Sequence, residues 1–337
     1  MSEAAPSREA NTVLNVDERT VVPRRRWFSP ILAVPTPVIF GVAAALAVLL
    51  LWRQGGLVEI MDSLRDVHPG RVVAILVVYA GSILLLGVRW HALVRMAGGD
   101  PPWTSSAEVF LTSVIVNYAA PIGLAVPTRA ALTIRDLGLS PSQSGAVVGW
   151  EVALDLVALS LISAAWLIVG GSDLVQTMTV DGRVLLLVAL LGAIGAVAMY
   201  FATRSAAIRS RIAPLAGRML FSPVEHPVLA LVAVVLTGGF WSTQVGIMAA
   251  LLALFGTSVS LQLLLGVMGV PVLVGMLSPV PGGAGVREAL MAAAARLGGT
   301  PAGAVVLAAV AYRLALFLVT PLAWGAVRLV RAGANRP

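Results

Sequence analysis

The chain is 337 residues long, 58% of them hydrophobic and only 12% charged, with no cysteine. That balance excludes an ordinary soluble domain, and the missing cysteines exclude disulfides, thiolate metal sites and cysteine nucleophiles. There is no lysine, so the net charge of +7 rests on arginine alone; the arginines cluster beside apolar runs, where helix orientation and anionic headgroups account for them better than nucleic acid does.

The first 30 residues are polar and end close to Arg24, Arg25 and Arg26, the composition of a disordered basic cytoplasmic tail. The apolar run at 31–52 is longer than a signal-peptide core and has no convincing small-residue cleavage site, so it predicts a retained first span. Residues 56–68 carry Leu57, Ile60, Met61, Leu64 and Val67 at helical spacing; a helix lying flat on the outer interface and an ordinary packed loop helix both fit. A second span follows at 71–88, and Arg89 and Arg95 after it mark a return to the cytoplasm.

Further apolar runs lie at 105–125, 144–169, 184–203, 228–254, 260–277 and 303–327, most of them near the ~20 residues a spanning helix needs and unlike short alternating barrel strands. If all eight runs cross fully, the arginine-rich stretch 204–218 falls outside and the loop with Asp173 and Asp181 falls inside, against the positive-inside rule. The conflict disappears if two runs turn back. Residues 105–121 then dip in from the cytoplasm, break at 117–123 and return through 126–137. Residues 260–277 dip in from the other side, break at 279–285, where two prolines and three glycines cannot continue a helix, and return through 286–297. The expected fold is an all-α polytopic membrane protein of about six full transmembrane helices plus two opposed re-entrant hairpins, patterned as an inverted repeat. A single transmembrane domain at 31–330 would leave the short tail 331–337, like the first one, in the cytoplasm.

Charges inside apolar segments cost roughly 2.5–3.5 kcal/mol each at the bilayer centre, so they need a reason. Glu151 and Asp155 share one face of the 144–169 span, Arg129 lies on the first returning limb, Arg287 and Glu288 close the second break, and Arg313 interrupts the last span beside Tyr312. Simple pairing between helices and a functional site explain any single one about equally well. As a set they surround two breaks, and a half-helix starting at Val286 would aim free amides at a phosphate or carboxylate that arginine can also hold. The expected substrate-binding residues are Asn117, Pro121, Arg129, Glu151, Asp155, Pro281, Gly282, Gly283, Arg287, Glu288, Tyr312 and Arg313. His68, His91 and His226 stand apart at span edges and predict no metal site, and no nucleotide-binding or hydrolase motif is present, so no cofactor is expected. Gly238 and Gly239 are expected to mark close helix packing, and Trp52, Trp90, Trp103 and Trp324 to lie in interfacial belts.

Three stretches resemble a known family, the flippase-like integral membrane proteins related to the transmembrane region of lysylphosphatidylglycerol synthases. The stretch 117–121 followed by Arg129 and the run 135–140 (Arg-Asp-Leu-Gly-Leu-Ser) is similar to the first signature, with Glu151 and Asp155 at its later acidic positions. The run 279–288 (Pro-Val-Pro-Gly-Gly-Ala-Gly-Val-Arg-Glu) resembles the second, and Tyr312 with Arg313 a pair in the last span. One departure stands out: Ala125 and Val126 occupy the place of a Gly-Glu pair frequent in the family.

The resemblance implies a module that moves a lipid between leaflets of the cytoplasmic membrane, and the length leaves no room for the soluble aminoacyl-transferase domain of full-length synthases. The expected partner is a membrane lipid: a phospholipid, a modified lipid or a polyprenyl-phosphate-linked substrate. The alternatives are a membrane-embedded transferase acting on a lipid-linked substrate, and a non-catalytic partner docking a lipid-modifying enzyme at the cytoplasmic face.

Overall fold

The structure, a computed structural model, describes the backbone of residues 69–119, 122–177, 206–278 and 281–334. The expected tail at 1–30, the stretch 56–68, the spans at 31–52 and 184–203, and Pro121 lie outside the described residues. Within them the chain is helical, with no strand: α1 (Pro69–Met96), α2 (Trp103–Ala119), α3 (Ile122–Leu137), α4 (Pro141–Thr177), α5 (Ala206–Glu225), α6 (Pro227–Leu254), α7 (Leu261–Met268), α8 (Val270–Leu277), a 3-10 turn (Pro281–Gly283), α9 (Val286–Leu297) and α10 (Ala302–Ala334). Four helices, α1, α4, α6 and α10, are long and apolar enough to cross a membrane. They match the expected spans at 71–88, 144–169, 228–254 and 303–327.

Boundaries follow local chemistry. The α3–α4 turn has a left-handed Gly138, and Ser140 then caps α4 through a reciprocal pair in which Gln143 N donates to Ser140 Oγ and Ser140 N to Gln143 Oε1. Ser260 caps α7 by accepting from Leu263 N at 3.1 Å. The core is built chiefly by α1, α2, α6 and α10, where Tyr79, Phe110, Ile247 and Leu316 are buried. Of the most apolar window of α10, 56% is buried, against 11% of that of α4, so α10 is the central helix and α4 a peripheral one.

Side-chain contacts tie several helix ends together. The Arg218 side chain of α5 donates to Ser142 Oγ at the start of α4 and to Ala97 O just after α1. Glu108 in α2 receives Arg328 at 2.8 Å and Arg331 at 2.6 Å from the end of α10. The start of α2, the end of α3 and the end of α10 therefore share one end of the bundle with Arg95 and Arg135. At the other end α6 finishes, α7 starts, α9 finishes and α10 starts. Both short-helix pairs fold back on themselves, α2 on α3 and α7–α8 on α9, and α2 also touches the 3-10 turn.

Three local expectations change. The limb at 260–277 is two eight-residue helices, because Gly269 leaves helical geometry (φ −82°, ψ −102°) and Pro271 lacks an amide donor. A Cβ on Gly269 would come within 3.0 Å of Ser163 in α4, so the kink seats α7 directly on that span. The arginine-rich stretch expected as a loop is helical from Ala206, and it packs along α4. Gly238 has nothing within 4 Å and faces outward, so it marks no close packing.

The tightest backbone approach is at the second break. Gly283 has φ +65°, and a Cβ there would lie 2.6–2.9 Å from backbone atoms of Gly275 in α8. Gly283→Ala is expected to destabilise the protein by roughly 2 kcal/mol or more, because strain and overlap add. Gly238→Ala should be neutral or slightly stabilising. Thermal unfolding of both variants in detergent checks the contrast.

Candidate functional site

The second break is held by one arginine. Gly282 and Gly283 turn the chain with positive φ, and Gly285 (φ +81°) opens α9. From the central helix α10, Arg313 Nε donates to Glu288 Oε1 at 2.7 Å and its Nη2 to Gly282 O at 3.0 Å. Glu288 Oε2 accepts the amide of Gly285 at 2.7 Å, so one carboxylate in the first turn of α9 meets both the helix start and the arginine. This brace answers the freed carbonyl and amide that a broken helix would otherwise leave unsatisfied in an apolar setting.

A second charged network joins α1, α3, α4 and α6. Arg89, only 1% exposed, grips Asp155 with both terminal nitrogens, at 2.6 and 3.1 Å. Its Nη2 also lies 3.7 Å from Glu151 Oε1, and Glu151 accepts from Arg129 on its other oxygen. From α6, Trp241 Nε1 donates to Asp155 at 3.1 Å and Thr237 accepts from Arg89 at 3.2 Å. Arg129 also lies over the Trp90 ring, 5.7 Å from its centroid. Two arginines and two acids four residues apart thus interlock, with neutral donors and acceptors at the edges.

A cavity of about 240 Å³ lies where these two structures meet. Its polar wall carries Arg89, Arg129, Glu151, Asp155 and Arg287, three arginines against two carboxylates. The Arg287 guanidinium stacks 4.9 Å from the Tyr312 ring centroid, and Tyr79 meets that ring edge-on at 5.4 Å. Ile83, Phe110, Val114 and Val272 supply the apolar wall. The site is amphiphilic, with excess positive charge beside greasy surface.

Residues 38–325 match the model of the lysylphosphatidylglycerol synthase TM region. The chain belongs to that family. With its long apolar helices, this makes it an integral membrane protein with a membrane lipid-related function. Among curated proteins and solved structures, none matches the chain.

Of the residues singled out in the sequence of this synthase-family chain, Asn117, Arg129, Glu151, Asp155, Gly282, Gly283, Arg287 and Tyr312 line this cavity. Glu288 and Arg313 are not among the lining residues and pair with each other at the break, while Pro281 is the first residue of its 3-10 turn. Val126, where the resemblance places a glutamate, sits on the cavity wall with 38% of its surface exposed. Sequence reasoning missed Arg89, counted as a cytoplasmic loop charge. The helix runs on to Met96 and buries both it and Trp90, which is 1% exposed and in no interfacial belt. It also missed Tyr79, Trp241 and Gln244 on the cavity wall. Thr237, Trp241 and Gln244 follow helical spacing on α6, the signal that could have found them.

Removing Arg89 leaves Asp155 without its main counter-charge, and Arg89→Leu should cost roughly 3–5 kcal/mol. The double change Arg89→Leu with Asp155→Leu should recover most of that loss, although Trp241 then loses its acceptor. Unfolding midpoints of the single and double variants test the coupling, and strict additivity would contradict it.

Proposed function

We propose that this protein binds an anionic lipid headgroup between two opposed re-entrant hairpins and carries it between leaflets. One observation bears most of the weight: α2–α3 and α7–α9 fold back from opposite ends of the bundle, and their tips contribute to one amphiphilic cavity with an excess of arginine. The repeated order of folded-back pair and long helix, α2–α3–α4 and α7–α9–α10, supports an inverted repeat around a site near the midplane.

In this reading Arg129 and Arg287 take the phosphate, and Asn117, Pro121, Gly282 and Gly283 shape the space around it. Glu151 and Asp155 hold Arg89 and Arg129 in place. Arg313, Glu288 and Pro281 keep the second tip bent, and Tyr312 positions Arg287. Acyl chains would follow the apolar wall, where Val126 and Leu277 (56% exposed) line the cavity. Arginines 95, 135, 218, 328 and 331 gather at one end, which supports a cytoplasmic face there and a place in the cytoplasmic membrane with both termini inside.

Reconstituted liposomes test the function with labelled phospholipids, aminoacylated or glycosylated lipids and polyprenyl phosphates. Arg287→Ala is expected to lower transport about tenfold or more, and Arg95→Ala, whose partner Asp100 is exposed, to leave it unchanged. Absence of movement for every lipid class would overturn the proposal. Orientation is read separately, since the chain has no native cysteine. Asp100→Cys should react with an impermeant maleimide only after permeabilisation, and Ser258→Cys in intact cells.

A further inference from the structure

The polar wall of the cavity and the brace at the second break form one set of charges. Among the described residues, Arg89, Arg129, Arg287 and Arg313 stand there with Glu151, Asp155 and Glu288, four arginines against three carboxylates. Arg89, Glu151, Arg287, Glu288 and Arg313 are buried. The set lies well inside the bundle: Glu151 and Asp155 are about 15 and 21 Å along α4 from its start, and Arg313 is about 17 Å along α10. Other ion pairs stand nearer the helix ends, Arg95 with Asp100, Arg135 with Asp136, and Glu108 with Arg328 and Arg331. Counted by formal charge, the inner set therefore carries one positive charge in excess.

An excess charge at membrane depth has two consequences. It is costly to hold there, so it favours a ligand of opposite sign. It also feels the membrane potential: carrying one elementary charge through the whole field shifts an equilibrium by about fiftyfold per 100 mV, and through half of it by about sevenfold. We infer that the membrane potential acts on this protein through its empty state. The unloaded site carries one positive charge through part of the field as it turns from one leaflet to the other. A headgroup with one negative charge cancels it, so the loaded site turns without moving net charge. An inside-negative potential then draws the empty site back towards the cytoplasmic leaflet, and the drive for outward movement of an anionic headgroup enters at that return step. The inference rests on the headgroup reading above and adds to it the step at which energy enters.

Displacement currents read the empty site without a transported lipid. The full chain is reconstituted at high density in planar bilayers of phosphatidylcholine, which has no net charge, and the voltage is stepped. Wild type is expected to give a saturating transient of up to about one elementary charge per protein. Phosphatidylmethanol, a small phosphodiester headgroup with one negative charge, should reduce that transient about tenfold when added. Arg287→Gln removes the excess charge and should give no transient, whereas Arg287→Lys keeps the charge and should retain it, a contrast that a merely structural role would not produce. A wild type without a transient, a transient that phosphatidylmethanol leaves unchanged, or one that persists in Arg287→Gln would overturn the inference. Lipid movement in the liposome assay would then leave the headgroup reading standing, and absence of both the transient and lipid movement would overturn the two together. The wild-type comparison with and without phosphatidylmethanol decides the matter even if the glutamine variant does not fold.

Discussion

Arg313 does for the second break what water would do in a soluble protein. A chain that leaves helical geometry among apolar surroundings exposes carbonyls and amides that hydrocarbon cannot satisfy. Here a guanidinium from the central helix reaches the Gly282 carbonyl and the Glu288 carboxylate together, and Glu288 in turn accepts the Gly285 amide. With those groups answered, the glycines can bend sharply, Gly283 can press against Gly275, and Arg287 at the start of α9 is delivered to the cavity wall. The position of the cavity depends on that bend.

The cavity's electrostatics have a similar economy. Buried ion pairs contribute little net stability, because desolvation offsets their attraction, so a network of four charges is poorly explained as a fastening alone. Its arrangement suits a different purpose. Arg89 is committed to Asp155 by a two-point grip, whereas Arg129 shares Glu151 with it and lies on the cavity wall against an aromatic face. The deeper pair fixes the geometry of the shallower one, and in the proposed reading a headgroup phosphate would meet arginines already oriented.

Much of this was legible in the sequence. Proline and glycine announce a break wherever they cluster in an apolar run, and arginine counting led to the expectation of fold-backs, which would reconcile 204–218 with Asp173 and Asp181. The buried charges were visible because carboxylates and arginines in such runs are rare. What escaped had a physical reason in each case. Arg89 looked like a loop residue because hydropathy ends a span at its first charge, whereas the helix continues while a partner on another helix neutralises that charge. The kink at Gly269 was overlooked although Pro271 stands two residues on, because the run 260–277 was taken as one limb. Gln244 and Trp241 were lost in a helix whose apolar residues cover every face, where only their helical spacing with Thr237 set them apart.

Two ion-pair clusters described separately stand on the same helix. Arg313 holds the tip of one folded-back pair, and Arg328 with Arg331 holds the root of the other through Glu108, roughly 22 Å further along α10. The central helix therefore contacts both hairpins, and Pro321 lies between the two contacts, where its ring removes one helical hydrogen bond. Sliding α10 along its axis would have to carry the tip of one hairpin and the root of the other with it, or rupture one of the two ion-pair clusters.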